Sequence, residues 1–198
     1  MEKKVQNRIL INPIFYLFIL LIYNFSMKNI ICISGKQYSG KDTLAKILLE
    51  NLPNFKRVGI GDSIKIEYGK IHNLTFDVIE KNKSLYRTGL IELGDKGRKI
   101  DPDFWLKKIL ELDYDVIIPD VRLIHEIEIF KQYGAYLIRV ESSFETRSKR
   151  GVITNANDLT ETALDDYKGF NYVIENNSDF NCLIENSKPL LKILKTKF

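Results

Sequence analysis

From Lys28 onward the chain alternates short apolar runs with longer segments of helical spacing. Residues 28–34 (KNIICIS) form a β-branched run that stops at Gly35, the pattern of a buried strand. Lys41–Leu52 spaces Leu44, Ile47 and Leu48 as one face of a helix. Residues 55–60 (FKRVGI) fit a second strand. From Ser63 to Leu110 the spacing is mainly helical, with breaks expected near Asn73, Lys81 and Gly94–Gly97. Asp115–Pro119 (DVIIP) and Ala135–Val140 (AYLIRV) read as buried strands. Between them Leu123–Gln132 is amphipathic, with Ile124, Ile127 and Phe130 on one side. Tyr172–Glu175 reads as a last short strand, followed by polar NNSD and a basic helix. Strands alternating with helices predict an α/β fold, helices layered on both sides of a parallel sheet. No linker divides residues 27–198.

Composition narrows the classes. The 198 residues suffice for one compact domain, and no repeat or low-complexity tract interrupts them. Cys32 and Cys182 cannot build a disulfide framework, and Cys32, inside the first strand, reads as an ordinary buried thiol. His72 and His125 lie far apart with no Cys or His cluster around them, which argues against zinc. Both read as structural or exposed. Net charge is +4, of which Lys3, Lys4 and Arg8 against Glu2 place +2 in the first 26 residues. The +2 left for the remainder falls short of a nucleic-acid footprint but suits a pocket for phosphates or carboxylates.

Chemistry concentrates at Gly35-Lys-Gln-Tyr-Ser-Gly40-Lys41-Asp42-Thr43, between the first strand and a helix. A strict G-x4-G-K-[ST] loop would have Ser or Thr directly after the lysine; here Asp42 intervenes. The physical requirements are still met. Gly35 and Gly40 permit the tight turn, successive backbone N–H groups with Ser39 among them form an anion nest, and the helix N-terminus adds its dipole. Lys41 reaches β- and γ-phosphates. Thr43 or Asp42 would support Mg²⁺, directly or through water. Asp120, ending DVIIPD, is placed to hold a Mg²⁺-bound water.

The N-terminal stretch, Ile9 to Phe25, is apolar except for Asn12 and Asn24 and contains Pro13. It is marginal for a spanning helix and lacks the small-residue cleavage site of a signal peptide. The basic flank precedes it, so the positive-inside rule would export everything downstream, which conflicts with a loop built for ATP. The expectation is that Met27 is the functional start; a membrane anchor and a cleaved signal are the alternatives.

A second constellation is cationic: Lys65, Arg87, Arg98, Arg122 and the Arg147, Lys149, Arg150 cluster. Singly each reads as a surface charge, but as a set flanking a phosphate loop they suit anionic oxygens. The 147–150 cluster reads as a mobile lid closing over ATP. The Lys188, Lys192, Lys195 series is a solvated face. A GTPase base-reading motif is missing, since Asn176-Asn177-Ser178-Asp179 lacks its lysine. No general base stands out, and none is needed if the acceptor is itself a phosphate oxygen, anionic near neutral pH.

Five segments carry a family resemblance: GKQYSGKDT (35–43), SIKIEY (63–68), YRTGLIELGDKGRKIDPDFW (86–105), IPDVR (118–122) and YKGFNYVIEN (167–176). In order and spacing they resemble the animal-type phosphomevalonate kinases. The loop, PDVRLIHE and DPDFW are also similar to phage deoxynucleoside monophosphate kinases. Both groups belong to the P-loop nucleoside monophosphate kinase superfamily. The resemblance implies a three-layer P-loop fold with a five-stranded parallel sheet and a small arginine-bearing lid. It also implies Mg²⁺ with ATP as co-substrate. Gly35, Lys36, Ser39, Gly40, Lys41, Asp42 and Thr43 would hold ATP, with Asn176 and Asn177 around the adenine. Lys65, Tyr68, Arg87, Arg98, Asp101, Trp105 and Arg122 would face the acceptor. Lys41, Asp120, Arg147 and Arg150 would carry the transfer, and Asp42, Thr43 and Asp120 would lie near the metal.

Trp105 stands where the phosphomevalonate kinases carry a smaller aromatic, and residues 121–129 read closer to the nucleotide kinases. Phosphomevalonate, with a carboxylate at one end and a phosphate at the other, needs cations at both ends. A nucleotide needs an apolar slot, for which Tyr68, Phe76, Tyr86 and Trp105 are candidates. The unbroken spacing from Lys65 to Trp105 favours phosphomevalonate, with a (deoxy)nucleoside monophosphate as the alternative. A nucleotide-binding module tethered by residues 9–25 is the reading of another class. The expected partners are ATP and a small anionic phosphomonoester, with no nucleic acid, for a cytoplasmic monomer that meets a membrane only if residues 9–25 are retained.

Overall fold

A computed structural model describes residues 28–198. The apolar segment 9–25 therefore lies outside the described residues, as does Met27. Five strands form one all-parallel sheet: β1 (Ile30–Ser34), β2 (Phe55–Arg57), β3 (Asp115–Ile118), β4 (Tyr136–Glu141) and β5 (Tyr172–Glu175), in the order β2-β3-β1-β4-β5. β1 is central. Ile31 pairs with Ile117 on one side and with Tyr136 on the other.

Alternation along β1 builds two cores, because successive side chains of a strand point to opposite faces. Ile31 and Ile33 pack with Leu44 and Leu48 of α1 (Lys41–Asn51) and with Leu183, Leu190 and Leu194 of α9 (Phe180–Lys197). Ile30 and Cys32 face the other way. They pack with Leu106 and Ile109 of α5 (Phe104–Leu110) and with Ile127 and Phe130 of α6 (Ile124–Gln132). Cys32 is 2% exposed, and burial pushes its thiol well above the usual range. The result is the three-layer arrangement expected for buried parallel strands.

The elements depart from the sequence pattern at three places. The second strand stops at Arg57, because Gly59 already caps α2 (Ile60–His72) and the Asp62 carboxylate accepts the Gly59 N–H at 2.7 Å. Breaks do fall after His72 and at Asn82, bounding α3 (Phe76–Lys81). None falls at Gly94–Gly97. α4 runs unbroken from Lys83 to Ile100. The two glycines instead seat the Trp105 indole, whose Nε1 donates to the Gly94 carbonyl at 2.9 Å. A Cβ on Gly97 would stand 2.7 Å from that ring. Ile124 is half exposed, so Ile127 and Phe130 alone carry the buried side of α6.

Candidate active site

The loop from Gly35 to Gly40 turns β1 into α1. Gly40 takes φ 100°, a left-handed conformation in which a Cβ would lie 2.2 Å from the Asn176 amide nitrogen. Gly35 is crowded too: a Cβ there would meet Ser39 Oγ at 2.4 Å. Both glycines are therefore fixed by close approach as well as by the turn. Lys41 opens α1 with its side chain 9% exposed. Burial lowers its ammonium pKa below the usual lysine range and the charge of Arg122 lowers it further, while Asp42, Glu161 and Asp120 oppose. A cavity of about 420 Å³ lies over this loop, lined by Lys41, Asp42 and Thr43 together with Gln37, Tyr38 and Arg150. A smaller one of about 180 Å³ continues from Gly40 and Thr43 to Ser178, Phe180 and Leu183.

The cationic cluster at 147–150 forms a short helix, α7 (Phe144–Arg150), fastened to the loop. Arg147, 6% exposed, donates to the Gln37 carbonyl at 3.3 Å. Arg150 reaches six backbone or side-chain oxygens, among them Tyr38 O at 3.3 Å, Asn176 O at 3.0 Å and Ser178 O at 2.7 Å. These guanidiniums tie three loops together where the sequence suggests a free lid. Asn176 and Asn177 likewise bond to protein. Asn176 Nδ2 donates to Ser39 O at 2.7 Å, and Asn177 Oδ1 accepts the Ser143 N–H at 2.7 Å. Lys36 pairs with Asp165 at 2.7 Å, outside the phosphate cavity.

A cavity of about 590 Å³ adjoins the loop between β2, α2, α3 and α4. It brings together Lys65, Arg87, Arg98 and Asp120 from three separate sequence segments. One wall is apolar, made of Ile64, Phe76, Leu90 and Ile91. Asp120 accepts the Ile60 N–H with both oxygens, at 2.9 and 3.0 Å. Burial raises its carboxyl above the ordinary aspartate value, the Ile60 N–H opposes this, and Asp62 adds to it.

Four residues expected at the acceptor lie elsewhere. Trp105 is 3% exposed and packed on α4. Tyr68 lies against His72, ring centroids 4.1 Å apart, and beside the backbone of Gly89. Asp101 accepts the Asp103 N–H at 2.9 Å and pairs with Lys107 at the turn into α5. Arg122 pairs with Glu161 and lines neither large cavity.

The sequence reading missed Arg57, Asp62 and Glu80. Arg57 ends β2 and lines the 590 Å³ cavity: it donates to Asp62 at 2.8 Å and lies 3.6 Å from Asp42, which lines the cavity over the loop. A cation at the carboxyl end of a parallel strand, where ligands of such sheets bind, is the signal that would have found it. Lys65 joins Asp62 at 2.8 Å and Glu80 at 2.6 Å. Burial lowers the Lys65 pKa, but these two contacts outweigh it and hold the ammonium above its usual range.

A family model of phosphomevalonate kinase matches residues 33–136, just over half of the chain. The chain belongs to the phosphomevalonate kinase family. The match takes in the phosphate loop and every residue of the 590 Å³ cavity. Among solved structures, the chain is similar to a gluconokinase from Sinorhizobium meliloti 1021, with 14% identity and a TM-score of 0.50. That alignment covers 84% of this chain and 93% of the gluconokinase. Shikimate kinase from Aquifex aeolicus vf5 aligns at 17% identity with a TM-score of 0.47, over 85% and 98% of the two chains. The fold is that of the P-loop, nucleoside monophosphate kinase-like proteins, and the family makes this chain an ATP-dependent kinase.

Among the described residues no group of three or more His, Cys, Asp or Glu side chains is gathered to hold a metal ion. Mg²⁺ does not require one, since it takes one or two protein oxygens beside substrate phosphates and water. Thr43 and Asp42 on the phosphate cavity, and Asp120 on the neighbouring one, are hard oxygen donors that fit this demand. Among the same residues no helix is long and apolar enough to cross a membrane.

Proposed function

We propose that this kinase transfers the γ-phosphoryl group of ATP to the phosphate of phosphomevalonate, giving diphosphomevalonate. The reading is carried by the 590 Å³ cavity, which gathers the cations Arg57, Lys65, Arg87 and Arg98 and meets the phosphate loop where Arg57 lies 3.6 Å from Asp42. A substrate charged at both ends needs cations spread along its pocket, and the family match points the same way.

In the transfer, a phosphate oxygen of the acceptor forms a bond to the γ-phosphorus. The bond from that phosphorus to the β,γ-bridging oxygen breaks, and its electron pair leaves with ADP. The acceptor oxygen is already anionic, so no side chain has to remove a proton. The protein's part is placement and charge. The loop N–H groups and Lys41 hold the donor phosphates, while Arg57, Arg87 and Arg98 hold the acceptor. Mg²⁺, held through Thr43, Asp42 or Asp120, would neutralise charge on the β- and γ-phosphates. Arg147 and Arg150, expected from the sequence to carry the transfer as part of a lid, act on this reading by fixing the shape of the loop.

The apolar wall of Ile64, Phe76, Leu90 and Ile91 favours a second reading, a (deoxy)nucleoside monophosphate with its base against that wall. The test is MgATP turnover of the full chain with phosphomevalonate and with each deoxynucleoside monophosphate, following ADP release and the phosphorylated product. Product from phosphomevalonate alone is expected. Product from a nucleotide alone would replace the first reading with the second, and product from neither would refute both.

A further inference from the structure

Glu161 belongs to none of the sequence motifs and lines none of the cavities over the loop, yet it is only 4% exposed. It lies in α8 (Leu159–Thr162), in the stretch between α7 and β5. Each carboxylate oxygen takes a donor from another part of the fold. Oε1 accepts from the Arg122 guanidinium, and Oε2 accepts the Gln37 N–H of the phosphate loop at 2.8 Å.

Other contacts already fasten this stretch to the loop. The Gln37 amide exchanges hydrogen bonds with the Thr154 backbone, donating at 2.7 Å and accepting at 3.2 Å, and Lys36 pairs with Asp165. Anchoring alone does not call for a buried carboxylate, which costs several kcal/mol to desolvate unless well paired. What Glu161 adds is a grip on Arg122. The shared carboxylate sets the Arg122 guanidinium beside the Gln37 N–H of the loop, and Gln37 and Lys41 line the same cavity; the Arg122 charge also acts on the buried Lys41 ammonium.

We propose that Glu161 is a positioning residue for phosphoryl transfer, holding the Arg122 guanidinium at the mouth of the phosphate loop through a carboxylate shared with the Gln37 N–H. It acts through Arg122 and touches no substrate. A glutamine at this place turns one of the two oxygens into an NH2 donor, so either the guanidinium or the Gln37 N–H loses its acceptor.

The inference rests on the phosphoryl-transfer reading, and the test separates the two. Glu161→Gln, Arg122→Gln and the double variant of the full chain are compared with wild type in kcat, in KM for MgATP, and in calorimetric affinity for MgATP and MgADP. Melting temperature monitors folding. Glu161→Gln is expected to lower kcat about ten- to a hundred-fold through misplacement of one group. Its KM for MgATP should stay within about three-fold. In the Arg122→Gln background the same change should cost nothing further. An equal loss in both backgrounds, or a lower melting temperature with kcat unchanged, would overturn the proposal. If the glutamine variant does not fold, Glu161→Asp, one methylene shorter, takes its place with the same expectations. Should wild type phosphorylate no acceptor, the functional reading fails by itself, and the ratio of MgATP to MgADP affinity decides for Glu161. Non-additive effects of the two substitutions on that ratio support the proposal; additive or absent effects overturn it.

Discussion

Asn176→Ala separates two roles for one residue, reading adenine or bracing the phosphate loop. The side chain is 5% exposed, and its Nδ2 donates to the Ser39 carbonyl at 2.7 Å. Its Oδ1 accepts from Arg150 at 3.3 Å. Alanine removes the shorter of two side-chain donors to the Ser39 carbonyl, with Arg150 Nη1 left at 3.4 Å, a loss of about 1–2 kcal/mol. Arg150 keeps the Asn176 and Ser178 carbonyls at 3.0 and 2.7 Å, so its share of the loss is small. A figure of about 2 kcal/mol corresponds to a melting temperature lower by roughly 4–8 °C in a chain of this size. The same energy bounds the loss of nucleotide affinity at about 30-fold. Because a brace acts on the phosphates and not the base, MgATP and MgGTP must weaken by the same factor. Thermal unfolding and calorimetric titration with both nucleotides make the test. Weakened ATP with untouched GTP would return Asn176 to the adenine, and an unchanged melting temperature would refute the brace.

Arg98→Ala should raise the acceptor KM about ten-fold and leave the ATP KM alone, since the residue lines only the acceptor cavity. The opposite pattern in steady-state kinetics would move Arg98 to the donor side. Asp62 gives a pH signature. Burial pulls its carboxyl upward, but Lys65, the Gly59 N–H and Arg57 outweigh burial and hold it below the usual range. Its contribution is therefore complete above the unfolded value of about 4 and fades as pH falls through the lower folded value. Wild type should melt above Asp62→Asn at pH 7, with the gap closing between about pH 5 and pH 2; a constant gap would refute the assignment.

The phosphate loop was legible because its signal is local: a β-branched run, two glycines and a helix with a buried face lie within a few residues of each other. Lys65, Arg87, Arg98 and Asp120 were legible as a set through the resemblance, and the fold does bring them to one cavity. Arg57, Asp62 and Glu161 were not, because their roles arise from approaches between distant segments that no spacing encodes. Glu161 meets a loop residue 124 positions away. Trp105 shows the opposite error. The sequence offered Trp105 for a base slot and expected a break at Gly94–Gly97, whereas the Gly94 carbonyl and the missing Cβ of Gly97 give the indole its seat on an unbroken helix.

Phosphoryl transfer between two phosphates needs positive charge concentrated where the anions meet, and bare cations crowded there would repel one another. The cavity proposed for the acceptor meets this constraint by pairing: Arg57 with Asp62 and Asp42, Lys65 with Asp62 and Glu80, Arg98 with Asp95. The exposed pairs among these, Arg57 with Asp42 and Arg98 with Asp95, contribute only about 0–1 kcal/mol each, so an arriving phosphate can take the cation from its carboxylate at little cost. Lys65 and Arg122 differ, since their partners Asp62 and Glu161 are buried and each is also held by a backbone N–H, that of Gly59 and that of Gln37. Exchange at those pairs is expensive. The architecture therefore divides its cations into those that can follow a substrate and those whose direction is fixed in advance. Fixed direction is most useful at the point of transfer, where geometry and not affinity sets the rate.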